Sequence, residues 1–359
     1  MKNWKFQWAL VAIFSLSMFG FVACGDDDDD TNEQKENLNE QNKDEYSASD
    51  DHKNVDTQYT PIIEDLDAII KSRYEYLADF VKDQLYLEGL RVNDPTKVHS
   101  ITPDFQELQD AWMMAYSTVN MVNKIINFIP SVQQTDPTFT AEQAKVYLAH
   151  AKCLRAFSHY NLAMLWGNVY IITEQITSTN EAINLERSSQ EEVYQAAYTD
   201  IKEAVSNFPA SGTGMEDDSW FTRDAALMLK AEIELTLGLL TDAQTTLSSV
   251  SNNVLLELPL SKPIAGPNYS NIVSIYTPYH LNLFKQEAQG NQDGLAADWK
   301  TLPATQYGTW VARYGYWAAL KRLGKAQEVT GCYDYELLMP FFAADLVENV
   351  AGQEQNPGY

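Results

Sequence analysis

The chain has 359 residues, of which 50 are acidic and 25 are lysine or arginine, so its formal net charge at pH 7 is −25. A charge of this sign disfavours nucleic acids and anionic membrane surfaces as partners, because both would repel it. With 45% hydrophobic residues the chain can bury a sizeable core, and the part after residue 58 is long enough for one large or two modest domains.

Residues 1–23 have the layout of a secretory signal peptide. Lys2 and Lys5 precede an uncharged apolar stretch that runs from Trp8 to Ala23. A small residue directly before a cysteine is how bacterial lipoproteins end their signal, and Cys24 follows Ala23. We therefore predict cleavage before Cys24 and lipidation of its thiol, which would anchor the protein to a membrane without spanning it. The alternative is a short N-terminal anchor helix that stays attached, with Cys24 unmodified.

Residues 24–58 form a strongly acidic segment, with 13 acidic residues against three lysines and almost no apolar side chains. Such a composition cannot bury enough apolar surface to offset the entropy of ordering, so it predicts a disordered tether. The consecutive aspartates Asp26 to Asp30 lack the alternating ligands and the glycine turn of a calcium loop. We interpret them as a solvated spacer, and such a run after a lipidated cysteine resembles the surface-export signal of some outer-membrane lipoproteins.

Residues 59–250 predict a helical region. Thr60-Pro61 and Thr102-Pro103 are start signals, because a proline at the first helical position lacks only a donor that would have no partner there. Apolar residues at helical spacing follow each signal, as far as Gly89 in the first helix and Pro130 in the second.

A third helix is predicted from Ala141 to Trp166. Thr140 and Gln143 form a capping box at its start, and Gly167 stops it because glycine takes the left-handed conformation at low cost. Small residues along this helix allow a second helix to approach closely, and the extended run Val169-Tyr-Ile-Ile172 follows it.

Three more helices complete the region. Ser189 with Glu192 opens the first of them, which ends at Phe208 before a proline. The other two are predicted from Arg223 to Leu237 and from Asp242 to Val250. Helix pairs of this length indicate degenerate tetratricopeptide-like repeats. The predicted fold class is therefore mainly α, built from tetratricopeptide-like helical hairpins.

Residues 251–359 predict an irregular, loop-rich C-terminal part. From Asn252 to Pro303 the helical pattern gives way to proline, glycine, asparagine and tyrosine, which predicts loops with at most short helices or strands. Helical periodicity returns from Trp310 to Leu323 and from Leu337 to Val347. We expect Cys153 and Cys332 to be buried thiols, although a disulfide between them is possible in an exported protein.

We find no catalytic or metal-binding motif with the required spacing, and we expect neither a cofactor nor an enzymatic activity. The five histidines include no His-Glu-x-x-His pair, and there is no glycine-rich phosphate loop and no Gly-x-Ser-x-Gly elbow. His150 and His159 are expected at the helix surface or partly buried rather than as ligands. A glycosidase pair of carboxylates is defined by its separation in space, so the sequence leaves that possibility open.

Four segments carry a resemblance to a known family. They are Ala151-Lys-Cys-Leu-Arg-Ala-Phe157 leading to Leu165-Trp-Gly-Asn-Val169; Ser189-Gln-Glu-Glu-Val-Tyr194 with Asp200-Ile-Lys-Glu-Ala204; Tyr316-Trp-Ala-Ala-Leu-Lys-Arg-Leu-Gly324; and Leu337-Leu-Met-Pro340 with Gln355-Asn-Pro-Gly-Tyr359. Together they resemble the SusD/RagB-like outer-membrane nutrient-binding lipoproteins. Asn168, Tyr170 and Ala319 depart from the residues usual in that family, and the middle of this chain is short for it.

The resemblance implies a SusD-like fold, in which the irregular C-terminal part holds a glycan site. It also implies a lipid-anchored protein on the outer face of the outer membrane, which captures oligosaccharides and delivers them to a SusC-like TonB-dependent porin. The short middle allows a peptide or a glycoprotein glycan as ligand instead. Two alternatives are a tetratricopeptide-like interaction scaffold of the envelope and a surface glycoside hydrolase.

Aromatic residues in irregular sequence are the candidate sugar-binding residues, because flat rings stack on sugar rings and lose little side-chain entropy. The alternative for each is a loop anchor packed on the helical body. Aromatic residues on helical stripes, such as Trp112, Tyr116, Phe157 and Trp166, are expected in the core, and Trp317 belongs to a family structural motif. The candidates are Trp220 beside Asp217-Asp218, Tyr276, Tyr279 near His280, Trp299 beside Asp298, Tyr307 and Trp310.

Overall fold

The computed structural model describes residues 61–93, 95–178, 181–182, 184–215, 220–260, 272–301, 314–342 and 354–359. The predicted signal peptide, Cys24, the acidic tether, Tyr307 and Trp310 lie outside these residues. No helix within the described ranges is both long enough and apolar enough to cross a bilayer.

The described residues up to Val250 are mainly helical, as predicted. Each helix packs against the next one along the chain, which is the arrangement of stacked helical hairpins. The helices are α1 (Ile63–Val92), α2 (Gln106–Thr135), α3 (Ala141–Trp166), α4 (Gln190–Asn207), α5 (Arg223–Thr236) and α6 (Leu240–Ser248). The predicted mainly α fold class is confirmed.

Local capping explains why the limits of α3 were predictable. The Thr140 hydroxyl accepts a hydrogen bond from the Gln143 backbone N–H at 3.2 Å, and the Gln143 side chain accepts one from the Thr140 N–H at 2.8 Å. At the other end Gly167 has φ +80°, and a Cβ there would lie 2.8 Å from a methyl group of Leu338. Glycine is therefore required both by the backbone conformation and by the close approach of Leu338.

The limit of α2 differs from the prediction, because this helix continues through Pro130 to Thr135. Proline removes one intrahelical hydrogen bond and usually kinks or ends a helix. Pro130 is exposed and lies close to the end of α2, and Ile126, whose carbonyl group loses its donor, is itself partly exposed. The helix is thus able to make one more turn.

The C-terminal part has short elements, as predicted for Asn252 to Pro303. They are β1 (Leu256–Pro259), β2 (Ile272–Tyr276), α7 (Pro278–Ala288), α8 (Leu295–Thr301), α9 (Tyr316–Arg322), α10 (Ala326–Thr330) and a 3-10 turn (Asp334–Leu337). The two strands pair antiparallel, with an irregularity between Leu256 and Glu257.

The helix predicted from Leu337 is wrong for its described part, residues 338–342, which are not helical. This segment instead bonds to the end of α3: the Met339 N–H donates to the Leu165 carbonyl at 2.7 Å, and the Trp166 indole donates to the Pro340 carbonyl at 3.0 Å. Bonds to a distant helix end have replaced the local helical bonds that the periodicity suggested.

The closing segment, residues 354–359, holds this arrangement together. The Asn356 amide donates to the carbonyls of Trp166 and Met339 at 3.1 and 2.7 Å. The Gln355 side chain accepts from the Phe341 N–H at 2.7 Å and donates to its carbonyl at 2.9 Å. The closing segment therefore joins the C-terminal part to the end of α3.

One continuous core runs through both parts of the chain. Tyr116, Phe157, Trp166 and Trp317 are buried, and Trp112 packs partly buried against the same core. Cys153 and Cys332 are both buried and both free, as expected.

Candidate functional site

Three of the predicted sugar-binding aromatics are buried in the core. Trp220 stacks on Tyr74 with the ring centroids 4.8 Å apart, and Tyr276 donates a hydrogen bond to buried Glu232 at 2.7 Å. Trp299 is fully buried and packs on Phe284. These rings act as packing anchors, and a ligand could reach them only if their neighbours moved.

Tyr279 is the predicted aromatic that the described structure leaves open to solvent. It lies in the first turn of α7, and 60% of the residue is exposed. Its neighbour His280 is buried and bonds to the Thr277 hydroxyl at 2.9 Å. Of the four predicted residues that the structure describes, Tyr279 therefore keeps a ring that a sugar can reach.

The structure reveals an exposed row of rings that the sequence did not suggest. His99 stacks on Tyr333 with a centroid distance of 4.4 Å, and Tyr333 stacks on Tyr335 at 5.8 Å. Tyr333 is 57% exposed and Tyr335 36%, and 45% of the His99 side chain is exposed. We call these three residues the aromatic ladder.

Tyr333 and Tyr335 were not among the predicted residues, although they lie between the two stretches of helical periodicity that end at Leu323 and begin at Leu337. In the structure a 3-10 turn from Asp334 to Leu337 follows Gly331, which has φ +77°. The one local signal was the spacing Tyr-x-Tyr just after a glycine. His99 comes from the loop between α1 and α2, so no local pattern joins it to the tyrosines.

The buried carboxylate of Glu336 forms hydrogen bonds with two residues of the ladder, His99 and Tyr333. It accepts hydrogen bonds from Arg91 at 3.0 Å, from His99 Nδ1 at 2.8 Å and from the Tyr333 backbone N–H at 2.7 Å. Arg91 is itself buried and also donates to the Val98 carbonyl and to the Tyr359 hydroxyl. This network ties the loop before α2, the 3-10 turn and the closing segment to one ion pair.

The closing segment supports Tyr335 from one side. The Tyr359 ring meets Tyr335 edge to face at 5.1 Å. Gly358 has φ +97°, and a Cβ at this position would clash with the ring of Tyr335. The backbone of the closing segment therefore lies directly on Tyr335, which fixes the ring without burying it.

A second cluster of carboxylates is buried and has a structural role. Arg322 binds Glu287 through two hydrogen bonds of 2.7 and 3.0 Å, and it lies 3.8 Å from Glu232. Burial raises the pKa of Glu232. Both carboxylates are covered by protein, whereas a glycosidase pair has to flank the bond that it cleaves.

Within the described residues, no group of three or more His, Cys, Asp or Glu side chains could hold a metal.

His150 and His159 are fully buried, so the expectation that they lie at the surface or half-buried is wrong. Each imidazole ring has hydrogen-bond partners inside the core. His150 Nδ1 bonds to the Tyr74 hydroxyl at 2.6 Å and Nε2 to the Thr213 carbonyl at 2.9 Å, while His159 Nε2 accepts from the Ile172 N–H at 3.2 Å. Burial lowers the pKa of His150 to about 4 and that of His159 to about 3.

These shifts predict a loss of stability in acid. Between pH 6.5 and about 4 the unfolded chain protonates His150 while the folded chain does not, so the contribution of His150 falls as the pH falls. The expected slope is about 1.4 kcal/mol per pH unit for this residue. Denaturant unfolding of the wild type and of His150→Gln between pH 7 and 5 should show a shallower slope for the variant. Above pH 7 the free energy of unfolding should depend on pH equally in the two proteins. Equal slopes below pH 6.5 would show that His150 does not cause this pH dependence.

Comparison with known proteins finds that this chain is similar to SusD-like proteins. A SusD-like family model, described as starch-binding and associating with the outer membrane, matches residues 30–235. A SusD-like protein P38 of Formosa agariphila is 29% identical over 153 residues, which are 42% of this chain and 28% of that protein. A SusD-like protein of Bacteroides ovatus is 27% identical over 229 residues, 63% of this chain and 38% of that protein. The matches thus span well under half the length of either relative.

A solved structure shows that the fold is shared. It is described as a laminarin-binding SusD-like protein and superposes with a TM-score of 0.62 over 83% of this chain and 100% of its own. The sequence identity is 14%, so the likeness concerns the fold alone.

Proposed function

The chain belongs to the SusD-like family, and on this basis we propose that it binds glycans at the cell surface and delivers them to a SusC-like TonB-dependent porin without catalysing a reaction. Lipid on Cys24 would hold it to the outer membrane. The family description and the laminarin-binding structural relative support a polysaccharide or oligosaccharide ligand.

The observation that carries the proposal is the aromatic ladder. Sugar rings have apolar faces, and exposed aromatic rings held in place by the protein provide a matching surface at little entropic cost. Tyr333 and Tyr335 stack on each other and both stay exposed, so they present neighbouring aromatic rings at one place on the surface.

Binding is tested by titrating the purified protein with a glycan panel that includes starch and laminarin oligosaccharides, by calorimetry. We expect saturable binding to at least one member and no release of reducing ends on long incubation. Released reducing ends would favour the hydrolase alternative, and no binding to any glycan would contradict the proposal.

The partner is tested separately, by gentle solubilisation of native membranes and affinity capture of the protein. A large β-barrel porin in stoichiometric amount supports delivery, whereas soluble periplasmic proteins alone would favour the scaffold alternative. In the same cells Cys24→Ser should move the protein from the membrane fraction to the soluble fraction, because the thiol that carries the lipid is lost.

A further inference from the structure

We infer that the aromatic ladder is the surface on which the glycan stacks, and that the ligand is an uncharged oligosaccharide. This inference rests on the proposed function and goes further, since it names the contact residues and the class of ligand.

The geometry leaves ring faces available. Stacked atoms in contact lie about 3.5–4 Å apart, whereas the centroids of Tyr333 and Tyr335 are 5.8 Å apart with 21° between the planes. The two rings are therefore displaced sideways, and part of each face is uncovered. The exposed fraction of Tyr333, 57%, agrees with this arrangement. A sugar ring can lie against the uncovered part.

The ladder is held rigid before any ligand arrives. Glu336 fixes the Tyr333 backbone and the His99 ring, and Gly358 with Tyr359 fixes Tyr335. A preformed surface loses little conformational entropy on binding, so weak stacking contacts suffice for reversible capture. Tyr279 has the larger exposed fraction, but no ring contact to it is found among the described residues.

The charges around the ladder select against acidic sugars. The segment Gly331 to Leu338 contains Asp334 and Glu336 but no lysine or arginine. The nearby cation Arg91 is buried and paired with Glu336, and Lys325 is paired with Glu328 at 2.6 Å. Lys97, two residues before His99, is only partly exposed and also has an interaction partner. Asp334 is exposed between the two tyrosines, and the whole chain carries −25. A uronate or sulfated glycan would meet repulsion here, whereas neutral hydroxyl groups can bond to Asp334 and to the tyrosine hydroxyls.

The test compares variants against the best ligand of the glycan panel. Tyr333→Ala should weaken binding at least tenfold, because it removes an exposed stacking ring whose loss does not disturb the core. Tyr333→Phe keeps the ring and should stay within about threefold of the wild type. Leu255→Ala is the control, an apolar residue outside the ladder that is 51% exposed, and it should bind like the wild type. Circular dichroism of each variant checks that it is folded.

The ligand class is tested with a pair of oligosaccharides that share a backbone, one neutral and one sulfated or oxidised to uronate. The wild type should bind the neutral member more tightly, and the difference should shrink as salt screens the charges. Equal or tighter binding of the anionic member would overturn the assignment of an uncharged ligand.

The outcomes separate the two claims. If the wild type binds a glycan and Tyr333→Ala binds it equally well, the ladder is not the surface, while the proposed function stands. If the wild type binds no glycan at all, the proposed function fails and the ladder assignment fails with it.

Discussion

Replacing Asp200 with alanine is expected to lower the free energy of unfolding by about 3–5 kcal/mol, because it leaves a buried arginine without its counter-ion. Asp200 accepts two hydrogen bonds from Arg155, both of 2.6 Å, and both side chains are buried. Arg155 also donates to the Asn123 side chain at 2.7 Å and to the Thr173 carbonyl at 3.0 Å. The Arg155 guanidinium stays charged without Asp200. The variant therefore holds an uncompensated positive charge in the core where α2, α3 and α4 meet.

Chemical denaturation of Asp200→Ala against the wild type measures this loss. Glu203→Ala is the control: Glu203 lies one turn further along α4, is half-exposed and pairs at 2.5 Å with Lys152, which also lies 3.8 Å from Asp200. Because the Glu203 carboxylate is half-exposed and Lys152 keeps Asp200 nearby, we expect the control to change stability by less than about 1 kcal/mol. A similar effect for the two variants would show that burial of the Arg155 pair does not govern the stability.

Glu336→Ala is the second substitution from which we expect a large effect, on both stability and glycan binding. Arg91 is fully buried, so removing its partner should cost about 3–5 kcal/mol. The same change removes the acceptor of the His99 ring and of the Tyr333 N–H. Glu336 is buried and acts by positioning the ladder, so its loss should weaken binding even at temperatures where the variant remains folded.

Asp334→Ala provides the comparison, since Asp334 is in the same turn but exposed. Its stability should stay within about 0.5 kcal/mol of the wild type. Thermal unfolding followed by glycan titration well below the midpoint separates the two effects of Glu336→Ala. If folded Glu336→Ala bound glycan with wild-type affinity, the ladder would not need this carboxylate.

Helix positions in this protein were predictable where the signals are local. The capping boxes at Thr140 and Ser189 bond to side chains only three residues away, so their effect is contained in the sequence that forms them. The predictions failed where distant groups decided the conformation. Met339 and Pro340 follow helical periodicity in sequence, but their backbone bonds to α3 instead.

The candidate site shows the same difference between features that local sequence predicts and features that distant contacts decide. Trp299 and Tyr276 lie in irregular sequence, which suggested exposure, yet both are fully buried under neighbouring elements. Local composition does not say whether a loop aromatic points outward or anchors the loop, because the answer depends on what packs over it. Tyr333 and Tyr335 lie between the predicted helices that end at Leu323 and begin at Leu337, and no local pattern shows that they stay exposed and stack with His99.

The sequence by itself determined the helical class, the limits of α3 and α4 and the family, since these depend on caps, periodic apolar residues and short motifs. Only the tertiary structure decided which aromatic rings are open to a ligand. The ladder needs His99 to meet a turn whose Glu336 is 237 positions away, and the contact forms through a buried ion pair with Arg91. Such a contact is set by how the helices and the closing segment pack, and no local pattern of residues specifies it.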